Sequence, residues 1–289
     1  MTEDRIKQII SAFDHFDGNY KKSEMEEALT LKDEITPHLI RILEEIAENP
    51  QAYAEEENYA NVYAVALLAY FQEPKAHLPI IRAFCIDDGE REILWGDMVT
   101  ETLPALLFLT CGGSLDAIKD LALNRDAYVF TRSAAVEALA YAVARGAASR
   151  EEILDFFSGL FTGTEDETDP YFWSSVASTI ADLHPGESME IIRKAYEDGL
   201  ICDDYIELED IEKDAASDRE EALNLFKLRV DGRLYVNIHD YISWFACFRE
   251  PEDRGYEPLK EQIKAQKNKK NSKQSRKKMA KASKRKNRR

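Results

Sequence analysis

Cysteine is scarce in this chain, and its four copies stand far apart. Cys85, Cys111, Cys202 and Cys247 form no C-x-x-C pair. That spacing fits neither a disulfide framework nor a zinc knuckle, and points to reduced, buried thiols in a cytoplasmic protein. Histidine is nearly as sparse. His15, His38, His77, His184 and His239 are scattered without an H-E-x-x-H pattern, and each reads as structural. Long hydrophobic runs are missing too: the most apolar stretch, Leu103–Cys111, is far too short to span a bilayer. The N-terminal MTEDRIKQIISAFDHF has acids in its first turn and no long apolar core, which argues against a signal peptide. Ser133 and Ser149 stand in no G-x-S-x-G context, and Gly112-Gly113 reads as a helix stop rather than a phosphate loop. Asp14-His-Phe-Asp-Gly18 lacks the ligand spacing and closing glutamate of a calcium loop. Asp87-Asp88 and Glu165-Asp166-Glu167 read as acidic loops, since nothing fixes their separation for acid–base work. No catalytic residue, cofactor or metal site is expected from the sequence.

Period-2 strands are also absent; the most strand-like piece, Arg233–Ile238, is short and isolated. What is present is helix after helix. In Asn61–Phe71 the apolar residues Val62, Val65, Ala66, Leu68 and Ala69 recur at helical spacing, and Ser133–Val143 carries a wide stripe of Ala134, Ala135, Ala138, Leu139, Ala142 and Val143. Further helices are expected over 3–13, 23–29, 37–47, 77–84, 97–109, 114–123, 150–161, 171–183, 188–196, 206–215, 219–228 and 238–248. Starts carry cap chemistry: Ser149-Arg-Glu-Glu152 is a capping box, and Thr36-Pro37 and Asp169-Pro170 place proline at a first helical position. Stops carry glycine, as at Gly112-Gly113, Gly146, Gly163 and Pro185-Gly186.

The helices pair. Small-residue-rich inner helices centre near Leu68, Leu106, Leu139 and Ile180, each preceded by a shorter one, at intervals in the range of a two-helix repeat. Asp126, Arg132, Ala135 and Leu139 resemble the second helix of a HEAT repeat, where an Asp and an Arg brace adjacent units. The expected fold is all-α, a HEAT-like helical-repeat solenoid, with an irregular helical bundle as its competitor. The expected divisions are an N-terminal helical cap (1–30), the repeats (31–231), an aromatic C-terminal cap (232–258) and a disordered Lys/Arg-rich tail (259–289).

Charge is divided sharply. Of 38 Lys+Arg and 55 Asp+Glu, fifteen of the bases but only one acid, Glu261, lie in 259–289. The tail therefore stands at +14, and the remaining 23 bases and 54 acids leave 1–258 at −31. Lys269, Lys270, Arg276, Lys277, Lys278, Lys284, Arg285, Lys286, Arg288 and Arg289 are spaced by Asn, Ser, Gln and Ala. Such an arm can track phosphates without reading bases, because it carries no aromatic residue for stacking. RNA or a ribosome, the acidic body itself, and an anionic membrane surface are the partners to weigh. The acidic stretch Asp203–Glu221 is either a receiver of basic partners or the solvated face of amphipathic helices. Trp95, Trp173 and Trp244, with Asp97 and Arg132, are candidates for a protein-binding surface; packing between repeats, with Asp–Arg bracing, is the alternative.

The segments Trp95-Gly-Asp-Met-Val-Thr100, Val129-Phe-Thr-Arg-Ser-Ala-Ala135, Ser149-Arg-Glu-Glu-Ile-Leu154, Tyr171-Phe-Trp173 and Leu183-His-Pro185 resemble a bacterial domain-of-unknown-function family, number 1186, over roughly residues 30–215. The resemblance implies a HEAT-like body in a cytoplasmic bacterial protein and brings no activity, substrate or catalytic residue. Members of that family often end in a cysteine-rich SEC-C zinc motif. This chain departs there, with no cysteine after Cys247, so no zinc role is carried over. The expected function is a non-enzymatic adaptor whose helical surface holds a protein partner and whose tail holds RNA or the ribosome. The alternatives are a lyase- or chaperone-type HEAT enzyme acting on a protein-bound cofactor, and a structural protein with a solubilising or self-masking tail.

Overall fold

The computed structural model describes residues 2–15, 17–55, 58–162, 171–234 and 237–243. The chain divides into two units, Met1–Phe16 with Lys21–Ile242, and Asp17–Tyr20 with Ser243–Arg289. Of the second, only 17–20 and 243 are among the described residues; there the Asn19 amide donates to Asp17 Oδ1 at 2.9 Å.

The first unit is all helix among the described residues. It begins with α1 (Thr2–Asp14), α2 (Lys22–Thr30), α3 (Lys32–Glu48), α4 (Pro50–Glu55) and α5 (Ala60–Tyr70). Next come α6 (His77–Phe84), α7 (Asp88–Leu94), α8 (Met98–Glu101), α9 (Leu103–Thr110), α10 (Asp116–Leu123) and α11 (Val129–Ala144). It ends with α12 (Arg150–Ser158), α13 (Tyr171–Asp182), α14 (Met189–Glu197), α15 (Leu208–Ala215), α16 (Arg219–Arg233) and α17 (Ile238–Ser243). No helix of the described residues is long and apolar enough to cross a membrane.

The expected inner helices are the core. Leu68, Leu106, Leu139 and Ile180 are all fully buried, at the centres of α5, α9, α11 and α13. These four pack in succession, α5 on α9, α9 on α11 and α11 on α13. Every residue from Ala60 to Ala69 is buried, which is why α5 is apolar on all sides rather than amphipathic. The alanines of α11 serve close approach: Ala134, Ala135, Ala138 and Ala142 are all buried where neighbouring helices meet. Each large aliphatic core residue contributes about 1.5–3 kcal/mol by burial, so the four helix centres alone are a substantial share of the driving force.

Polar contacts also tie the helices together. Asn61 Nδ2 donates to the Leu94 carbonyl, Lys119 Nζ meets Glu152, Arg150 Nε donates to the Leu183 carbonyl, and His184 Nε2 meets the Ser217 carbonyl. His77 Nδ1 likewise pairs with Thr110 Oγ1 at 3.0 Å, and every one of these contacts spans 33 residues. Because Thr110 Oγ1 already donates to the Leu106 carbonyl, His77 Nδ1 is the donor to Thr110, and burial pushes the imidazole below its ordinary pKa.

Caps follow the sequence in part. Ser149 Oγ accepts from the Glu152 amide at 3.1 Å and opens α12 at Arg150, as the capping box predicts. Thr36-Pro37 does not open a helix: α3 starts at Lys32, with Pro37 inside it. The first turn survives because Asp33, whose carbonyl loses the proline donor, is exposed to water, and Thr36 Oγ1 donates to the Lys32 carbonyl. The expected helix over 97–109 is two, α8 and α9, with Pro104 near the start of the second. α4 and α7 were not anticipated. At the end of α9 Gly112 has φ +62°, and a Cβ there would lie 3.0 Å from Pro74 Cβ, so the turn demands glycine twice over. Asp169-Pro170 and Gly163 lie outside the described residues.

Candidate functional site

Trp95 and Trp173 are both interior residues, at 2% and 1% exposure. Trp95 stacks on Phe84 at 4.0 Å and donates its indole N–H to the Ala83 carbonyl at 2.7 Å. Trp173, in α13, makes a similar bond, donating to the Leu160 carbonyl at 3.1 Å. Arg132 is buried as well, with its Nε on the Ala122 carbonyl and its guanidinium 3.7 Å above the Phe172 ring. These three side chains join helices and present no face to a partner. Asp126 is exposed at the surface, where Asn124 Oδ1 holds its amide. Of the four body residues singled out in the sequence, only Asp97 is exposed. Trp244 and all ten named tail cations, from Lys269 to Arg289, lie outside the described residues.

What Trp95 does is hold a rim. With its indole anchored in the core, the next residues, Gly96 (φ +44°) and Asp97, turn outward and border a depression of about 200 Å³. Its other walls are Arg91, Glu92, Val99, Thr100, Tyr128 and Phe130. Arg91 is buried at the back. Its Nη1 donates to the Ile86 carbonyl at 2.8 Å, its Nη2 pairs with Asp88 at 2.5 Å, and the guanidinium plane lies 3.7 Å above the Tyr128 ring. The same stack, arginine on the aromatic residue that opens the next inner helix, recurs in Arg132 and Phe172.

From that depression a line of rings runs across three segments. Tyr128 meets Phe130 at 5.3 Å between centroids, Phe130 meets Tyr171 at 6.0 Å, and Tyr171 meets Tyr205 at 6.2 Å. Tyr128 and Phe130 begin α11, Tyr171 begins α13, and Tyr205 stands in the turn between α14 and α15. Tyr171 is 45% exposed and Tyr205 43%, unusual for rings of this size. The Tyr205 turn is pinned from beneath. The Cys202 amide donates to Ser174 Oγ at 2.9 Å, and the Tyr196 hydroxyl donates to the Ile206 carbonyl at 2.6 Å. Burial, and then the charges of Asp203, Asp210, Cys202 and Glu207, push the Tyr196 phenol up to about 12. Asp203, Asp204 and Glu207 are exposed beside Tyr205, and Glu92 and Asp97 at the opposite end. The row is thus aromatic along its length and acidic at both ends.

Other parts of the acidic stretch are the solvated side of an amphipathic helix. In α15 Ile211 is fully buried while Glu209, Asp210, Glu212 and Asp214 face out, with Glu212 paired to Arg193 at 2.9 Å. The described part of the expected C-terminal cap is short: Ile238 and Ile242 of α17 are buried, and the Tyr241 hydroxyl meets Thr102 Oγ1 at 2.7 Å. A broader, shallow hollow of about 540 Å³ borders α1, lined by Lys7, Gln8, Ser11, Ala12, His15 and Lys21.

Arg91, Tyr128 and Tyr205 are not among the candidates the sequence offers, and Phe130 and Tyr171 stand there only within longer segments. A signal was present, since Tyr128-Val-Phe130 and Tyr171-Phe-Trp173 place aromatic pairs at the openings of two inner helices. At the second opening Phe172 and Trp173 are buried while Tyr171 stays at the surface; at the first both rings are half-buried.

Two relatives were found, both from chlamydiae. A protein of Chlamydia trachomatis serovar D described as "Uncharacterized protein" is 28% identical over 208 residues, 72% of this chain and 82% of its own. One from Chlamydia muridarum with the same description is 28% identical over 208 residues, 72% of this chain and 83% of its own. No solved structure matches the chain significantly. The profile of the family described as "Protein of unknown function (DUF1186)" matches residues 4–249, from within α1 to beyond α17. This chain belongs to that family.

Proposed function

We propose that this protein is a cytoplasmic adaptor whose helical body holds a protein partner while its basic C-terminal arm holds RNA or the ribosome. The observation that carries the reading is the ring row Tyr128–Phe130–Tyr171–Tyr205, whose first two rings are half-buried and whose last two, Tyr171 and Tyr205, are exposed, the Tyr205 turn being pinned from below. Large aromatic side chains held in place at low entropic cost are the residues that anchor protein interfaces. The neighbouring depression, about 200 Å³, is smaller than the roughly 300–1,000 Å³ usual for small-molecule sites, which favours a surface contact over a substrate pocket. The +14 of the arm against the −31 of residues 1–258 supports the second contact.

The test compares the full chain with a 1–258 truncation for co-sedimentation with ribosomes and with RNA across a salt series. Binding confined to the full chain, falling steeply with salt at about 0.7 log units per phosphate neutralised, is the expected result. Equal binding by both chains, or none by either, would overturn the polyanion half of the reading.

A further inference from the structure

Resting on the adaptor reading above, we infer that the row Tyr128–Phe130–Tyr171–Tyr205 is a docking track for an extended, arginine-rich segment of a partner protein. Four observations converge on that chemistry.

The first is spacing. Successive rings stand 5.3, 6.0 and 6.2 Å apart. In an extended peptide, side chains on one face recur every about 6.6 Å, because each residue advances about 3.3 Å. Alternate residues of an extended chain therefore fall in near register with successive rings. The whole row follows a path of at most about 18 Å, the reach of five to six such residues.

The second is that the molecule already stacks guanidinium on one ring of this row and on a ring next to another. Arg91 lies 3.7 Å over Tyr128, the first of the row, and Arg132 lies 3.7 Å over Phe172, which opens α13 beside Tyr171. An incoming arginine on Tyr171 or Tyr205 repeats a contact the fold makes twice for itself.

Third, charge complements the rings. Asp203, Asp204 and Glu207 beside Tyr205, with Glu92 and Asp97 at the Tyr128 end, are all exposed and negative. A cation set over a ring and reached by a carboxylate combines cation–π attraction with a charge-assisted hydrogen bond. Arginine suits this better than lysine, since its plane stacks while its edge still donates. The same acids repel phosphate, so stacked nucleotides fit the row poorly although bases too can stack on tyrosine.

Fourth, two of the rings reach solvent. Tyr171 and Tyr205 retain 45% and 43% exposure although the backbone beneath Tyr205 is held by Ser174 and Tyr196. A rigid aromatic surface left exposed in this way loses little entropy on binding.

The experiment measures fluorescence anisotropy of a labelled peptide of about eight residues, alternating Arg and Ser, titrated with the full chain. A Lys/Ser peptide of equal charge and a single-stranded oligouridine run in parallel. The expected result is saturable binding of the arginine peptide, several-fold weaker binding of the lysine peptide, and about ten-fold or greater loss of the former in Tyr171→Ala/Tyr205→Ala. The Tyr171→Phe/Tyr205→Phe variant keeps the rings and should keep the affinity, which separates a lost contact from a disturbed fold. No binding of the arginine peptide, or equal affinity in the double alanine variant, overturns the inference. So does oligouridine binding that depends on the two rings, which would make the row a base-stacking surface. None of these outcomes depends on ribosome co-sedimentation, so the track and the arm's polyanion role fail or stand separately.

Discussion

Replacing Trp95 with Phe removes one buried N–H and leaves the stacked ring against Phe84 largely in place. The Ala83 carbonyl it serves lies in the last turn of α6, where no helical donor remains, so the change strands a buried acceptor. Trp173→Phe is the same substitution at the equivalent position, yet the Leu160 carbonyl also accepts from the Thr162 amide at 2.8 Å. A carbonyl with a second donor is not orphaned. Trp95→Phe should therefore cost about 1–3 kcal/mol, and Trp173→Phe should stay nearer about 1 kcal/mol. Urea denaturation of both variants checks this; equal midpoints would mean that lost packing volume, rather than the orphaned carbonyl, sets the cost. The sequence marks both tryptophans as special without saying how. Aromatic residues near helix starts can line a surface or seal the joint between pairs, and only the carbonyl each one reaches decides it.

At the scale of elements, α16 is clasped to α11 and α13 by ion pairs of opposite pH behaviour. Asp231 of α16 pairs with Arg145 and, at 2.6 Å, with Lys227, and those hydrogen bonds lower its pKa. Arg233 reaches Glu137 at 2.9 Å, and Arg229 reaches Asp182 at 2.5 Å, across to the inner helices. For Glu137 and Asp182 burial is the larger effect and raises the pKa, with Tyr141 and Arg229 respectively pulling back. The signs then differ. The lowered Asp231 stabilises the fold above the ordinary carboxylate pKa, and that contribution is lost as pH falls through its folded value. Glu137 and Asp182 take up protons in the native state before the unfolded one, so native stability gains as pH falls through their raised values. Glu137→Gln is thus expected to hold or raise the melting temperature near about pH 7.5, with that advantage shrinking toward about pH 5, whereas Asp231→Asn lowers it at neutral pH. Thermal melts at both pH values decide the matter, and equal losses in the two variants would show that the pairs matter more than the burial. Helix positions like those of α6 and α11 were legible in the sequence because an apolar stripe at helical spacing has one way to be buried. α7 was not legible, because Asp-Gly-Glu-Arg-Glu-Ile-Leu is too short and charged to carry a stripe; α8 and α9 merged because the break between them falls at Thr102, which no glycine marks. The aromatic row was hidden for a different reason. Its members come from three segments up to 77 positions apart, from Tyr128 to Tyr205, and no local pattern records that packing sets them side by side.

At the scale of the whole molecule, charge sets the response to salt. Residues 1–258 hold 54 acids against 23 bases, and a net charge of −31 repels itself. Exposed ion pairs such as Arg41–Glu45 and Lys194–Asp198 pull the other way, but pairs of this kind contribute little and are screened over the same distances. The screening length shortens to about 10 Å at 0.1 M and about 3 Å at 1 M, so added salt removes the long-range repulsion while leaving the apolar joints between α5, α9, α11 and α13 intact. Raising sodium chloride from about 0.05 M to about 0.5 M should accordingly raise the melting temperature by a few degrees. The 1–258 chain, at −31, should gain more than the full chain at −17, because the basic arm already offsets part of the field. A fall in melting temperature with salt would show that the ion pairs between helices outweigh the repulsion. The clasp of α16 would then be the first place to locate the loss, and Asp231→Asn should abolish the part of the salt effect that arises there.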